Sequence, residues 1–171
     1  MKQVYLLTGR PGTGKTSLIK QVVAGLGDKA GGFYTEEIRH GGSRLGFKLV
    51  TLDGEETVLA HINIDSPYRV SQYRVDIDNL DRVGVSALNQ ASKERPIIII
   101  DEIGKMELFS AAFKEAVLKA IGSGKKVLGT IMLSPHPWAD HIKQKPQVKL
   151  IEVTRINHLR VREELESWLK G

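Results

Sequence analysis

Two periodicities take turns along this chain. Val4-Tyr5-Leu6-Leu7 is a short apolar run that predicts a strand over 3–8, and Leu18, Ile19, Val22, Val23 and Leu26 then recur at helical spacing until Gly25-Leu26-Gly27-Asp28 ends the pattern. Strand-like stretches follow at 33–39 and 45–52, separated by His40-Gly41-Gly42-Ser43, with a third at 56–59 after the Asp53-Gly54 turn. Strands joined by hairpins cannot all run parallel, so residues 31–60 read as an antiparallel insertion on a larger sheet. The stretch 61–73, with Pro67, reads as a surface loop leading into an extended piece at 73–77.

A helix over 78–93 carries Leu80, Val83, Val85 and Leu88, and Pro96 marks the entry to Ile97-Ile98-Ile99-Ile100. Four β-branched residues in a row are the signature of a central strand buried on both faces. A helix over 110–121, a Gly122-Ser123-Gly124 stop and a strand over 127–130 come next, then a loop holding Pro135 and Pro137. A strand over 148–153 and a last helix striped with Leu159, Val161, Leu165, Trp168 and Leu169 complete the alternation. This order predicts a layered α/β fold with a mainly parallel central sheet, in a single domain over 1–171.

Composition narrows the function classes. No apolar run approaches the length of a membrane span, so a soluble, cytoplasmic protein is expected. The absence of cysteine excludes disulfides, thiolate metal sites and cysteine nucleophiles. Five histidines are present, none at metal-ligand spacing, and surface or packing roles are expected for all of them. The net charge of +5 and a pI of about 9.4 invite a nucleic-acid reading, but the basic residues are interleaved with Glu and Asp and form no stripe.

The chemistry concentrates in two places. Gly9-Arg10-Pro11-Gly12-Thr13-Gly14-Lys15-Thr16 lies between the first strand and the first helix and fits the phosphate-binding P-loop spacing. Gly12 and Gly14 free the backbone to curl its N–H groups around an oxyanion, Lys15 reaches the terminal phosphates, and the Thr16 hydroxyl is placed to hold Mg²⁺. Asp101 and Glu102 follow the four isoleucines, at the carboxyl edge where open α/β sheets bind ligands. Asp101 is the expected second holder of Mg²⁺, and Glu102 is the expected base that orients or deprotonates a water. Lys105, Glu107, Glu36 and Arg44 are weaker candidates, and Arg44, Arg69 or Arg155 could each bring a cation to the γ-phosphate.

Taken together, the P-loop, Gly32-Phe33-Tyr34-Thr35-Glu36-Glu37, Arg44-Leu45-Gly46-Phe47 and Ile100-Asp101-Glu102-Ile103-Gly104-Lys105-Met106-Glu107-Leu108 resemble the small THEP-type nucleoside-triphosphatases. The resemblance implies a RecA-like three-layer sandwich and slow, Mg²⁺-dependent hydrolysis of ATP, GTP and other nucleoside triphosphates to the diphosphate. It implies nucleotide contacts from Gly9 to Thr16 and from Ile97, Ile98, Ile99, Ile100, Asp101, Glu102, Ile103 and Gly104. Two departures stand out. His158 ends a Val153-Thr154-Arg155-Ile156-Asn157 stretch where such proteins carry an arginine, and Ser71 stands where a glycine is usual. A nucleotide or nucleoside kinase and a nucleotide-switched RNA- or DNA-binding protein are the alternatives. The oligomeric state is open, a monomer being the working expectation.

Overall fold

The computed structural model describes residues 2–171. Among them nine strands form one sheet: β1 (Val4–Thr8), β2 (Ala30–His40), β3 (Ser43–Thr51), β4 (Glu56–His61), β5 (Arg69–Val70), β6 (Tyr73–Val75), β7 (Ile97–Ile103), β8 (Lys126–Ile131) and β9 (Val148–Glu152). Their order is β5-β6-β4-β3-β2-β7-β8-β1-β9. From β2 to β9 neighbouring strands are parallel, and from β2 to β5 they are antiparallel. The pivot is β2. Its first residues, Ala30 to Phe33, pair with β7, and the strand then runs on past that edge as the first arm of the hairpin with β3. Gly41 and Gly42, at φ 56° and 83°, make the tight turn that the sequence predicts between these arms.

The antiparallel extension is larger than the sequence pattern suggests. The segment read as a surface loop holds β5, and β5 and β6 are joined through Ser71 and Gln72 to form a further short hairpin. Ser71 adopts a positive φ of 56°, the conformation a glycine would take without strain.

Helices cover both faces. α1 (Lys15–Val23) and α6 (His158–Lys170) lie on one side; on the other, α2 (Ile77–Asn79) and α3 (Ser86–Glu94) are joined by a π-helical turn, followed by α4 (Ala111–Ile121) and α5 (Pro137–Lys143). The four isoleucines serve both cores, as alternation along a strand requires. Ile98 and Ile100 pack with Phe113 and Leu88, while Ile97 and Ile99 pack with Leu18, Ile19 and Trp168. The loop expected to hold Pro135 and Pro137 does hold Pro135, and α5 corrects the placement of Pro137. Pro137 occupies the first turn of the helix, where a missing N–H costs nothing, and His136 Nδ1 accepts from the Trp138 amide at 3.2 Å as the cap. Among the described residues no helix is long and apolar enough to cross a membrane.

Candidate nucleotide site

The loop between β1 and α1 is shaped by its glycines. Gly9, Gly12 and Gly14 have φ of 148°, 81° and 83°, a region side-chain-bearing residues rarely enter. A Cβ on Gly14 would stand 2.6 Å from the His158 ring. The helix starts directly after this turn, so its unpaired N–H groups face the loop mouth. Lys15 Nζ crosses that mouth, donating to the Gly9 and Arg10 carbonyls at 2.7 and 3.3 Å. Thr13 Oγ1 closes the turn on the Arg10 carbonyl at 2.9 Å, and Pro11 lines the rim.

The acidic pair comes to the same place. β8 lies between β1 and β7, so the two motifs sit on strands that do not touch, yet Thr16 Oγ1 donates to both carboxylate oxygens of Asp101, at 3.0 and 3.3 Å. Thr130, at the carboxyl end of the intervening strand, donates to Asp101 Oδ1 at 2.7 Å. Asp101 is buried, and burial raises its pKa; the hydrogen bonds from Thr130 and Thr16, then the Thr35 backbone and the charge of Lys15, work against that rise. Glu102, partly buried beside it, is pushed up by burial and by the Asp101 charge, and pulled down by Lys15. The Asp101–Glu102 peptide bond is cis.

Two cavities meet at this junction. One, of about 450 Å³, runs over the P-loop and is lined by Gly12, Gly14, Lys15, Thr16, Glu36 and Glu102. The other, of about 390 Å³, lies beyond Lys15, and the two share Pro11, Lys15, Thr35, Phe47 and Glu102.

The weaker candidates separate here. Glu107 is buried rather than a solvated helix start, its Oε1 accepting from the Gly104 amide at 3.2 Å. Burial and the neighbouring Glu102 charge raise its pKa well above the ordinary carboxylate value. Lys105 lines the second cavity. Glu36 lines the first and pairs with Lys20 at 3.3 Å. Arg44 is engaged elsewhere, donating to Tyr73 Oη at 2.8 Å and lying over the Phe47 and Tyr73 rings. Arg69 borders a separate groove, and Arg155 is exposed and lines neither cavity. Ile98, Ile99 and Ile100 are fully buried in the cores, and Ile97 lines a distant cavity between the carboxyl ends of α1 and α6.

A family model described as NTPase matches residues 4–166. The chain belongs to this NTPase family. A nucleoside-triphosphatase THEP1 of Thermotoga sp. (strain RQ2) is 48% identical over 165 residues, covering 96% of this chain and 94% of its own length. The cancer-related nucleoside-triphosphatase of Homo sapiens is 38% identical, covering 92% of this chain and 91% of its own. The crystal structure of THEP1 from Aquifex aeolicus superposes with a TM-score of 0.89 at 35% identity, over 98% of this chain and 99% of that one. The solution structure of the human protein gives a TM-score of 0.82 at 35% identity, over 99% of this chain and 98% of that one.

Within this NTPase fold several site residues escape the sequence reading. Thr130 is a single threonine on a strand with no local motif, while Thr35 and Phe47 fall inside stretches that carry the family resemblance but receive no role of their own from the sequence. A threonine at the carboxyl end of a parallel strand was the one available signal for Thr130. His158 does pack, as expected of the histidines, but its partner is the P-loop itself: its Nε2 meets the Thr13 carbonyl.

Proposed function

We propose that this chain hydrolyses nucleoside triphosphates to the diphosphate and inorganic phosphate, with Mg²⁺ bound. The observation that supports this most directly is the hydrogen-bonded contact between Thr16, at the start of α1, and Asp101, at the end of β7. The donor set suits Mg²⁺, a hard cation that takes oxygen ligands and is held in phosphate sites by one or two carboxylates together with the phosphates themselves. Thr16 and Asp101 would hold it. When bound, the ion neutralises charge on the phosphates.

The P-loop amides and Lys15 grip the phosphates, and Lys15 stabilises the charge that develops as the terminal phosphoryl group departs. Glu102 orients the attacking water and accepts its proton. Burial and the Asp101 charge raise its pKa, the direction that favours a general base. Backbone amides and a lysine read phosphate and not base, which accounts for tolerance among ATP, GTP and other triphosphates. One chain supplies every group given a role, so a monomer suffices. The relatives above carry nucleoside-triphosphatase names, which favours hydrolysis as the main reaction over a nucleotide or nucleoside kinase and over a nucleic-acid-binding switch.

Replacing Glu102 by Gln tests the assignment. Phosphate release should fall by about 10² to 10⁴, while a fluorescent nucleotide binds as before. Unchanged turnover would remove Glu102 from the mechanism.

A further inference from the structure

The cavity beyond Lys15 is larger and greasier than a water site. Its volume of about 390 Å³ falls within the range of small-molecule pockets, roughly 300–1,000 Å³. A single water has a share of about 30 Å³ in the liquid. Phe47, Leu59 and Val70 line it from the antiparallel extension, and Met106, Met132 and Leu133 line it from the loops after β7 and β8. None of these side chains can hydrogen-bond a phosphate or hold a water. They suit an apolar body.

The walls differ in stiffness. Phe47 is fixed edge-on against Tyr73, with ring centres 5.2 Å apart, and the Arg44 guanidinium lies 5.1 Å from its ring centre. The two methionines can reshape around a guest. Leu133 is 43% exposed, so the cavity opens outward on that side. Lys15, Thr35 and Glu102 are the polar groups it shares with the phosphate cavity.

We propose that this cavity is an acceptor site for a small molecule with an aromatic or branched aliphatic body and a terminal hydroxyl, which competes with water for the γ-phosphoryl group. The inference rests on the hydrolytic reading above and adds a second acceptor to it. The body lies among Phe47, Leu59 and Met132, and the hydroxyl points to Glu102. The hydroxyl oxygen bonds to the γ-phosphorus as the bond from that phosphorus to the bridging oxygen breaks. The hydroxyl proton passes to Glu102, and the products are a phosphate monoester and the nucleoside diphosphate.

The test uses the full chain with Mg-ATP and benzyl alcohol, followed by ³¹P NMR. Benzyl phosphate should form alongside inorganic phosphate, its share exceeding the mole ratio of alcohol to water by about tenfold or more, as an oriented acceptor gains effective concentration. Val70→Trp, which narrows the cavity from the edge hairpin, should bring that share back toward the mole ratio; Leu133→Trp, at an exposed position, makes the same test if the first variant does not fold. If ADP forms and inorganic phosphate is the only other product, or if the share is indifferent to the tryptophan, the acceptor site is overturned and hydrolysis stands. If no ADP forms at all, both fall.

Discussion

Thr130 Oγ1 lies 2.7 Å from Asp101 Oδ1, and the strand that carries it is the one separating the P-loop strand from the strand that ends in Asp101. The intervening strand would otherwise hold the two halves of the site apart. Through this hydroxyl it instead supports the acid that Thr16 meets from the other side. A hydrogen bond to a charged group contributes about 1.5–3 kcal/mol, and Asp101 is buried, with little water to replace a lost donor. Thr130→Val should therefore lower stability by about 1–3 kcal/mol in denaturant titration. It should also raise the Mg²⁺ concentration needed for half-maximal phosphate release, because the Asp101 pKa moves further up. An unaltered Mg²⁺ dependence would show that Asp101 does not need this support.

Glu107 makes a prediction about pH. Its pKa in the folded chain is raised, first by burial and then by the Glu102 charge, above the ordinary value of 4.5. The folded state then binds a proton that the unfolded state has released, so stability contributed by this group falls as pH rises from about 4.5 through the folded value. In magnesium-free protein, Glu107→Gln keeps an oxygen for the Gly104 amide and removes the titration. The variant should melt higher than the parent at neutral pH, with the gap closing toward acid. A gap that stays constant with pH would rule out the buried carboxyl as its cause.

The P-loop and the acidic pair were legible because each is a contiguous run in which residue type and spacing report one function. Thr130 was not. Its role depends on β8 lying between β1 and β7, a fact of sheet order to which no local window has access. One proline misled at α5: Pro137 looks like a loop residue, as Pro135 is, but a proline in the first turn of a helix is accommodated, and the capping group is a histidine rather than the usual serine or aspartate. The strand β5 has two residues, too few for alternation to show, and it exists because β6 offers an edge to pair with, whereas β6 lies within the extended piece expected at 73–77. Conversely, the four isoleucines read correctly as a strand buried on both faces, since that pattern carries its burial within itself.

Trp168 anchors the last helix. Its ring stacks on Tyr5 of the P-loop strand, with centres 4.0 Å apart and planes 10° from parallel, and its Nε1 donates to the Lys2 carbonyl at 3.1 Å. Trp168→Ala removes that buried area and leaves a cavity beside β1, at a cost of about 3–5 kcal/mol. Trp168→Phe should recover most of the loss, because the stack persists without the indole N–H. Thermal melts of the two variants within a degree of each other would mean that the aromatic stack on Tyr5 contributes nothing, since neither variant has the indole N–H.

Gly14 and His158 make the last prediction, and it separates two reasons for one glycine. A side chain at position 14 must adopt φ near 83°, and its Cβ must also stand 2.6 Å from the His158 ring. The first penalty is intrinsic, about 1–2 kcal/mol for a left-handed residue with a Cβ. The second depends on a neighbour that can be removed. Gly14→Ala should lose both stability and nucleotide affinity, since the amides that face the phosphates are set by this turn. Adding His158→Ala should return part of the stability by clearing the clash, while the backbone strain remains. The coupling between the two substitutions should thus be favourable and incomplete, which a double-mutant cycle in urea measures directly. Strict additivity would show that the ring moves aside at no cost, leaving the left-handed turn as the whole reason for glycine at this position.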